Sequence, residues 1–382
     1  MSIKQSELSQ RGLEALSLLR EFVLPGEISD FVEGFGNGHI NDTYCLTVTD
    51  AAQSKRYILQ RINPYVFPQA EAVMENIALI LPALKAEAAK AGEDVERHTL
   101  TPICCRDGKN YYVAQDKAVW RMYLFIRDSI SYEVIESPEQ FRQAGAAFGK
   151  FQRALHKFPA EQLHETIARF HDTPARYEQL ASACQADVKQ RVGEEKVGEL
   201  LRQADRYRYV AAYLMQGWQD GSLPVRVTHN DTKLNNILFD KQTKEPLCVV
   251  DLDTVMPGLI AFDFGDAIRA GAVTAEEDEK DLSKMHFVPE LYFAFLDGFM
   301  EQCGEFLTAK EVESLAYGAL ILPLETGVRF LTDYLNGDVY FKTAYPEHNL
   351  IRAANQFRLV SEITEQLVRL QTETARRYQY KK

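Results

Sequence analysis

The amino-acid sequence predicts an α+β protein of two lobes, a small β-rich N-terminal lobe and a larger, mostly helical C-terminal lobe. Three observations lead there. Residues up to about 126 read as short β-forming runs broken by Gly, Pro and Asp turns. Beyond Arg127, apolar residues recur at helical spacing through most of the chain. One stretch, from Val227 to Gly265, interrupts the helical part with two short apolar runs and a polar loop. The shift in pattern sets a domain boundary between an N-terminal lobe at 1–125 and a C-terminal lobe at 126–382.

Taken in order, residues 7–22 carry the pattern of an amphipathic helix, which Pro25-Gly26 ends. β structure follows over 28–62. Phe31-Val32 lead into the loop Gly34-Phe35-Gly36-Asn37-Gly38-His39, Tyr44 to Thr49 form a strand, and Arg56 to Ile62 return after a polar turn. Pro64 and Pro68 break the run. Val73, Ile77, Ile80, Leu81 and Leu84 then mark a helix over about 69–91, with Pro82 inside it. Asp107-Gly108 is a hairpin signal between Ile103–Cys105 and Tyr111–Val113. Val119 to Ile126 is a strongly β-forming run. Past it, helices are expected over about 138–156, 175–192, 194–219, 288–302, 309–336 and 348–376.

A chain of 382 residues can build two cores, and its hydrophobic fraction of 46% is ordinary for a globular protein. A net charge of −12 excludes the basic footprint of a nucleic-acid surface. No apolar run approaches the roughly 20 residues of a membrane helix. The N-terminus lacks the continuous apolar stretch of a signal peptide. The six cysteines form no CxxC pair and read as reduced thiols. The expectation is a cytoplasmic protein with neither a nucleic-acid nor a membrane partner.

The chemistry concentrates in the stretch that breaks the helical pattern. His229-Asn230-Asp231-Thr232-Lys233-Leu234-Asn235-Asn236 has the form HxDxxxxN. Ile237–Phe239 and Leu247–Val250 read as two strands joined by a turn, the second ending on Asp251. Phosphoryl transfer needs an acid to orient and deprotonate the acceptor hydroxyl, and oxygen ligands for Mg²⁺. Asp231 suits the base and Asn236 the neutral metal ligand. Asp251 suits the carboxylate that holds Mg²⁺ against nucleotide phosphates. An Asx-rich turn between helices would be the plainer explanation, but two flanking apolar runs and a second acid arrive with it. Asp253, two residues on, fits a second metal ligand, an acceptor for a sugar hydroxyl, or a hydrogen bond to its own turn.

These motifs resemble those of the aminoglycoside phosphotransferase and choline kinase family, whose members share the protein-kinase-like fold and carry HxDxxxxN followed by an I/V-D motif. The resemblance covers almost the whole chain. Three stretches, GNGHINDTY at 36–44, LQRIN at 59–63 and ETGVRFLTDYLNGD at 325–338, further resemble the N-acetylhexosamine 1-kinases, which are anomeric sugar kinases. The resemblance implies a bilobal protein-kinase-like fold and a phosphotransferase using ATP and Mg²⁺. Its γ-phosphoryl would pass to the anomeric hydroxyl of an N-acetylhexosamine (GlcNAc or GalNAc) and give the 1-phosphate. The alternatives are another acceptor (an aminoglycoside, choline, ethanolamine, homoserine or a simple sugar) and a non-catalytic binding protein. The intact Asp231, Asn236 and Asp251 give the last no support.

Within that frame Gly36, Asn37 and Gly38 are expected at the nucleotide phosphates, because glycine N–H groups approach them closely. His39 would reach toward the acceptor or the γ-phosphate, or cap the turn. The phosphate-binding lysine that protein kinases carry on the third strand has no counterpart in Tyr57 to Ile62. Arg61 is expected to replace it, with Glu75 on the next helix as partner. Tyr123 and Leu124 are expected to meet the adenine through their backbone. The resemblance puts Arg329 and Tyr340 on the sugar, and Asp253 is a separate candidate for a sugar hydroxyl or a second metal position. Arg329 and Asp333, at i and i+4, would otherwise form a surface ion pair. Asp263 and Asp266 mimic an Asp-Phe-Gly metal motif, but the family carries its metal acid earlier, and these two are expected to support the loop.

Overall fold

The computed structural model describes residues 8–36 and 40–379. The chain divides into two units. The first runs to Ile130 and takes in Glu161–Ile167 and Leu238–Met256; the second holds Ser131–Ala160, Ala168–Ile237 and the chain from Pro257 on. The division thus falls a little beyond the expected 125/126 boundary, and the first unit reclaims two later segments. Hydrogen bonds explain both returns. Ser129 and Ile130 pair with Asp240 and Phe239, and Asn76 exchanges bonds of 2.8 Å with the His164 backbone.

The first unit opens with α1 (Gln10–Leu18), whose N-terminus Ser9 caps through the Gly12 N–H. Strands β1 (Glu27–Glu33), β2 (Asp42–Thr49) and β3 (Ser54–Arg61) precede α2 (Ala70–Lys90) and the single turn α3 (Val95–His98). β4 (Tyr112–Val113) and β5 (Val119–Leu124) complete an antiparallel sheet in the order β1-β2-β3-β5-β4. One face of this sheet buries Tyr44, Leu46, Tyr57, Leu59, Trp120 and Met122 against Ala15, Leu19 and Phe22. This is the period-two burial that the alternating runs require. Helix α2 runs unbroken through Pro82. The Asp107-Gly108 turn forms, with Gly108 at φ 85°, but its first arm joins no strand: Cys105 makes a lone bridge with Phe22. A hairpin of Ile237–Asp240 and Pro246–Val249 forms a second, three-stranded sheet with Ser129–Ile130.

The second unit is helical. It comprises α4 (Pro138–Leu155), α5 (Thr173–Ala186), α6 (Glu195–Tyr207), α7 (Tyr213–Gln219), α8 (Ile260–Gly271), α9 (Pro289–Cys303), α10 (Ala309–Asn336) and α11 (His348–Gln379). Ser137, Asp172 and Thr308 cap α4, α5 and α10, the last in a full capping box with Glu311. α4 packs on α9, while α10 packs on α8 and α11. Helix α8 falls in a stretch to which the sequence pattern assigns no element. Every residue of it but Ala270 is buried, so no solvent-exposed face marks it, and its polar residues Asp263, Asp266 and Arg269 lie three apart on a buried side. Its contact with α10 is backbone to backbone: a Cβ on Gly265 would lie 2.4 Å from the Gly318 carbonyl oxygen. Among the described residues no helix is long and apolar enough to cross a membrane.

Candidate active site

In the second unit, the short strand Arg226–Thr228 delivers the chain into the HxDxxxxN loop. Asn230 takes the left-handed conformation at φ 63°, uncommon for a non-glycine residue. Asn236 Nδ2 donates to Asp231 Oδ2 at 2.9 Å and to the Asp231 carbonyl at 2.8 Å. That commits the amide nitrogen to Asp231 and leaves Asn236 Oδ1 as the atom to offer a hard cation. Lys233 Nζ lies 2.9 Å from Asp231 Oδ1. The Asp231 carboxylate holds the ammonium above its usual range, outweighing partial burial, with Asp266 adding to the effect. The buried His229 ring meets Phe148 and Phe151 edge-on, and its Nδ1 accepts the Asp231 N–H at 3.3 Å.

Helix α8 supports this loop through two carboxylates. Asp263 Oδ2 accepts the His229 N–H at 3.0 Å and Gln152 Nε2 at 2.6 Å, and its Oδ1 accepts the Asn230 N–H at 2.8 Å. Asp266 Oδ2 accepts the Thr232 N–H at 2.9 Å, and its Oδ1 accepts Arg269 Nε at 3.0 Å. Helical residues three apart share a face, so the i, i+3 spacing turns both acids onto one loop. Their titration diverges. Burial pushes Asp263 up despite its donors. Burial also pushes on Asp266, but Arg269 and Lys233 outweigh it and hold that carboxyl low.

Asp251 and Asp253 belong to the first unit, on the turn after Pro246–Val249. Asp251 is left-handed at φ 56°. Asp253 is buried, and both its oxygens are committed within the unit: one forms an ion pair with Arg121, the other accepts Asn41 Nδ2 at 2.7 Å. It is not presented to a sugar. The expected Arg61–Glu75 pair does not form. Arg61 pairs with Asp116 at 3.2 Å and Glu75 with His164 at 2.7 Å. Strand alternation turns Arg61 and Gln60 to opposite faces of β3, and Gln60 instead accepts Arg121 Nε at 3.0 Å. The buried cation of this sheet is therefore Arg121 on β5. The sequence reading passed over it, although a lone arginine in Val119-Trp120-Arg121-Met122-Tyr123 was the signal.

The nucleotide-side residues are disposed as follows. Tyr123 is buried, its hydroxyl has no hydrogen-bond partner among the described residues, and burial raises its pKa to about 12. The Leu124 N–H donates to the Thr101 carbonyl at 2.9 Å and the Phe125 N–H to Arg56 at 3.0 Å. These two amides are spent inside the unit rather than held for a base. In the glycine loop Gly34 and Gly36 adopt φ 63° and 80°, which favours glycine. Phe35 packs edge-on to Phe125, and the Arg56 guanidinium lies over both rings. Asn37, Gly38 and His39 lie outside the described residues.

The residues expected at the acceptor lie on α10 and in the segment that follows it. Asp333 is buried and accepts the N–H groups of Val339, Tyr340 and Phe341 at 3.0, 2.8 and 3.0 Å, and Asn349 Nδ2 at 2.9 Å. It fixes the segment that carries Tyr340, and no ion pair among the described residues joins it to Arg329. The Arg329 guanidinium lies 5.2 Å from the Phe170 ring, 5.9 Å from Tyr340 and 5.5 Å from Phe341. Burial lowers the neighbouring Arg176, and Arg329 lowers it further. Glu325 is buried with its two oxygens accepting His171 Nδ1 at 2.9 Å and Thr173 Oγ1 at 2.8 Å.

A β-rich unit with a glycine loop and an acidic turn, followed by a helical unit with an Asp–Asn loop, is the make-up of a protein-kinase-like phosphotransferase. The chain belongs to the phosphotransferase enzyme family, whose model matches residues 32–287. Solved structures agree on the fold. A microcompartment-associated aminopropanol kinase is 17% identical, with 94% of this chain and 98% of that one covered at a TM-score of 0.60. An aminoglycoside phosphotransferase from Alicyclobacillus acidocaldarius is 14% identical over 97% and 98%, at a TM-score of 0.56. A choline kinase from Cryptosporidium parvum is 13% identical over 93% and 95%, at 0.54.

Proposed function

We propose that this phosphotransferase uses ATP and Mg²⁺ to phosphorylate the anomeric hydroxyl of an N-acetylhexosamine. Asp231 orients the acceptor hydroxyl and takes its proton. Asn236 and Asp251 are the residues that would hold Mg²⁺, an assignment carried by the order of the motifs. Their donors fit: all are oxygens, and a magnesium ion that shares nucleotide phosphates needs few protein ligands. When bound, the ion neutralises charge on the transferring group. Gly36, Asn37 and Gly38 line the phosphates in this reading.

One observation supports the acceptor class. The Arg329 guanidinium sits among three aromatic rings with Arg176 nearby, while Glu325, the acid beside them, has both oxygens occupied. A cation with donors to spare suits an oxygen-rich neutral acceptor and disfavours an amine. The test is ATP consumption with a panel of GlcNAc, GalNAc, simple sugars, choline, ethanolamine and aminopropanol, followed by identification of the phosphorylated position. A hexosamine 1-phosphate is expected. Turnover confined to the amino alcohols would overturn the acceptor assignment.

A further inference from the structure

The acid Asp251 stands on a turn that is fastened at two points, and the fastening residues have no part in the reading above. The first is Asp253. Arg121, 2% exposed on β5, forms an ion pair with one oxygen of Asp253 and donates through Nε to Gln60 on the adjacent strand β3. It also meets the Met74 sulfur of α2 at 3.9 Å and the Tyr123 ring at 5.3 Å. The other oxygen of Asp253 accepts Asn41 Nδ2. Asn41 lies where the chain leaves the glycine loop, and its Oδ1 accepts the Asn63 N–H at 3.0 Å. The second fastening is Asn76 on α2, which donates to the Val255 carbonyl at 2.9 Å.

We infer that Arg121 and Asn41 are positioning residues that act through Asp253 to set the carboxylate of Asp251 for its metal. The first unit then has its organising cation on β5, where a β3 cation was expected, and the same relay ties the exit of the glycine loop to the metal-side turn. Arg121 is too deeply buried to reach a phosphate itself, so its influence passes through the turn it holds. Residues behind a metal ligand commonly change metal affinity about 10–100-fold when replaced. The inference rests on the Mg²⁺ role given to Asp251 above, but not on the acceptor.

ATP binding measured by calorimetry with and without Mg²⁺ tests it, with no acceptor present. In the unaltered protein Mg²⁺ tightens ATP binding. In Arg121→Met the ATP affinity without metal stays within about twofold, while the gain from Mg²⁺ shrinks about tenfold or more. In Asn41→Ala the gain shrinks about threefold, because one arm of the relay remains. Weakened ATP binding without metal in Arg121→Met would make Arg121 a phosphate ligand and overturn the inference. An unchanged Mg²⁺ gain in both variants would also overturn it. If Arg121→Met does not fold, Asn41→Ala, which leaves the buried ion pair in place, decides alone, and an unaltered gain there refutes the relay. Absence of any Mg²⁺ gain in the unaltered protein would remove the metal reading and this inference with it. A wrong acceptor would appear only in the sugar panel.

Discussion

At the scale of single residues, Asp231 and Asp253 both have two engaged oxygens and differ in their exposure. Asp231 accepts from Asn236 and pairs with Lys233, yet it stays only partly buried. Asp253 is fully enclosed and doubly occupied. Two acids with similar sequence surroundings therefore have different availabilities. Asp231→Asn should lower kcat by about 10²–10⁴-fold, the usual worth of a general base, with ATP binding nearly unchanged; turnover close to the unaltered enzyme would remove Asp231 from that role. The HxDxxxxN spacing was legible in the sequence because it is local. The ion pair of Arg121 with Asp253 spans 132 positions and was not legible.

At the scale of elements, α8 is the support on which the HxDxxxxN loop rests. Its Asp263 and Asp266 take the N–H groups of His229, Asn230 and Thr232, and buried backbone donors left without acceptors are costly. Gly265, between those two acids, lets the helix lie backbone to backbone on α10. Gly265→Ala places a Cβ 2.4 Å from the Gly318 carbonyl oxygen. The expected cost is about 1–3 kcal/mol, as for overpacking generally, together with a loss of kcat as the loop's support shifts. Denaturant midpoints and steady-state rates measure the two. Unchanged stability would mean that α8 can retreat from α10 without penalty. Uniform burial hid this helix from periodicity, whereas α10, with an intact capping box, was placed at its true ends.

At the scale of the whole molecule, buried acids set the response to pH. Burial pushes Glu325 up, but His171, Arg329 and Arg176 outweigh it and hold the carboxyl below its ordinary 4.5. Asp266, with Arg269 and Lys233 beside it, is held below its ordinary 3.8. The unfolded chain then binds more protons than the folded one below those values. The stability these acids confer is complete above about pH 4.5 and is lost as the pH falls through their folded pKa values. Asp263, raised by burial, works in the opposite sense: its contribution is lost as the pH rises through its folded pKa. Thermal melts between about pH 5 and pH 3 should show Tm falling with acidification, and Glu325→Gln should flatten that slope. An identical slope in the variant would show that Glu325 is not held low.

The sequence by itself determined the two-part organisation, the ends of the long amphipathic helices, the HxDxxxxN loop and the acidic turn, because each is written in spacing over a few residues. Tertiary structure alone decided that Arg61 meets Asp116, that Arg121 is the buried cation of the sheet, and that Asp333 holds the segment carrying Tyr340. It also joined residues 238–256 to the first unit while residues 168–237 went to the second. The physical reason is common to all of these. A charged group is stabilised by whichever partner the fold brings within hydrogen-bonding distance in a shielded interior, and that partner lies anywhere from 7 to 132 residues away along the chain.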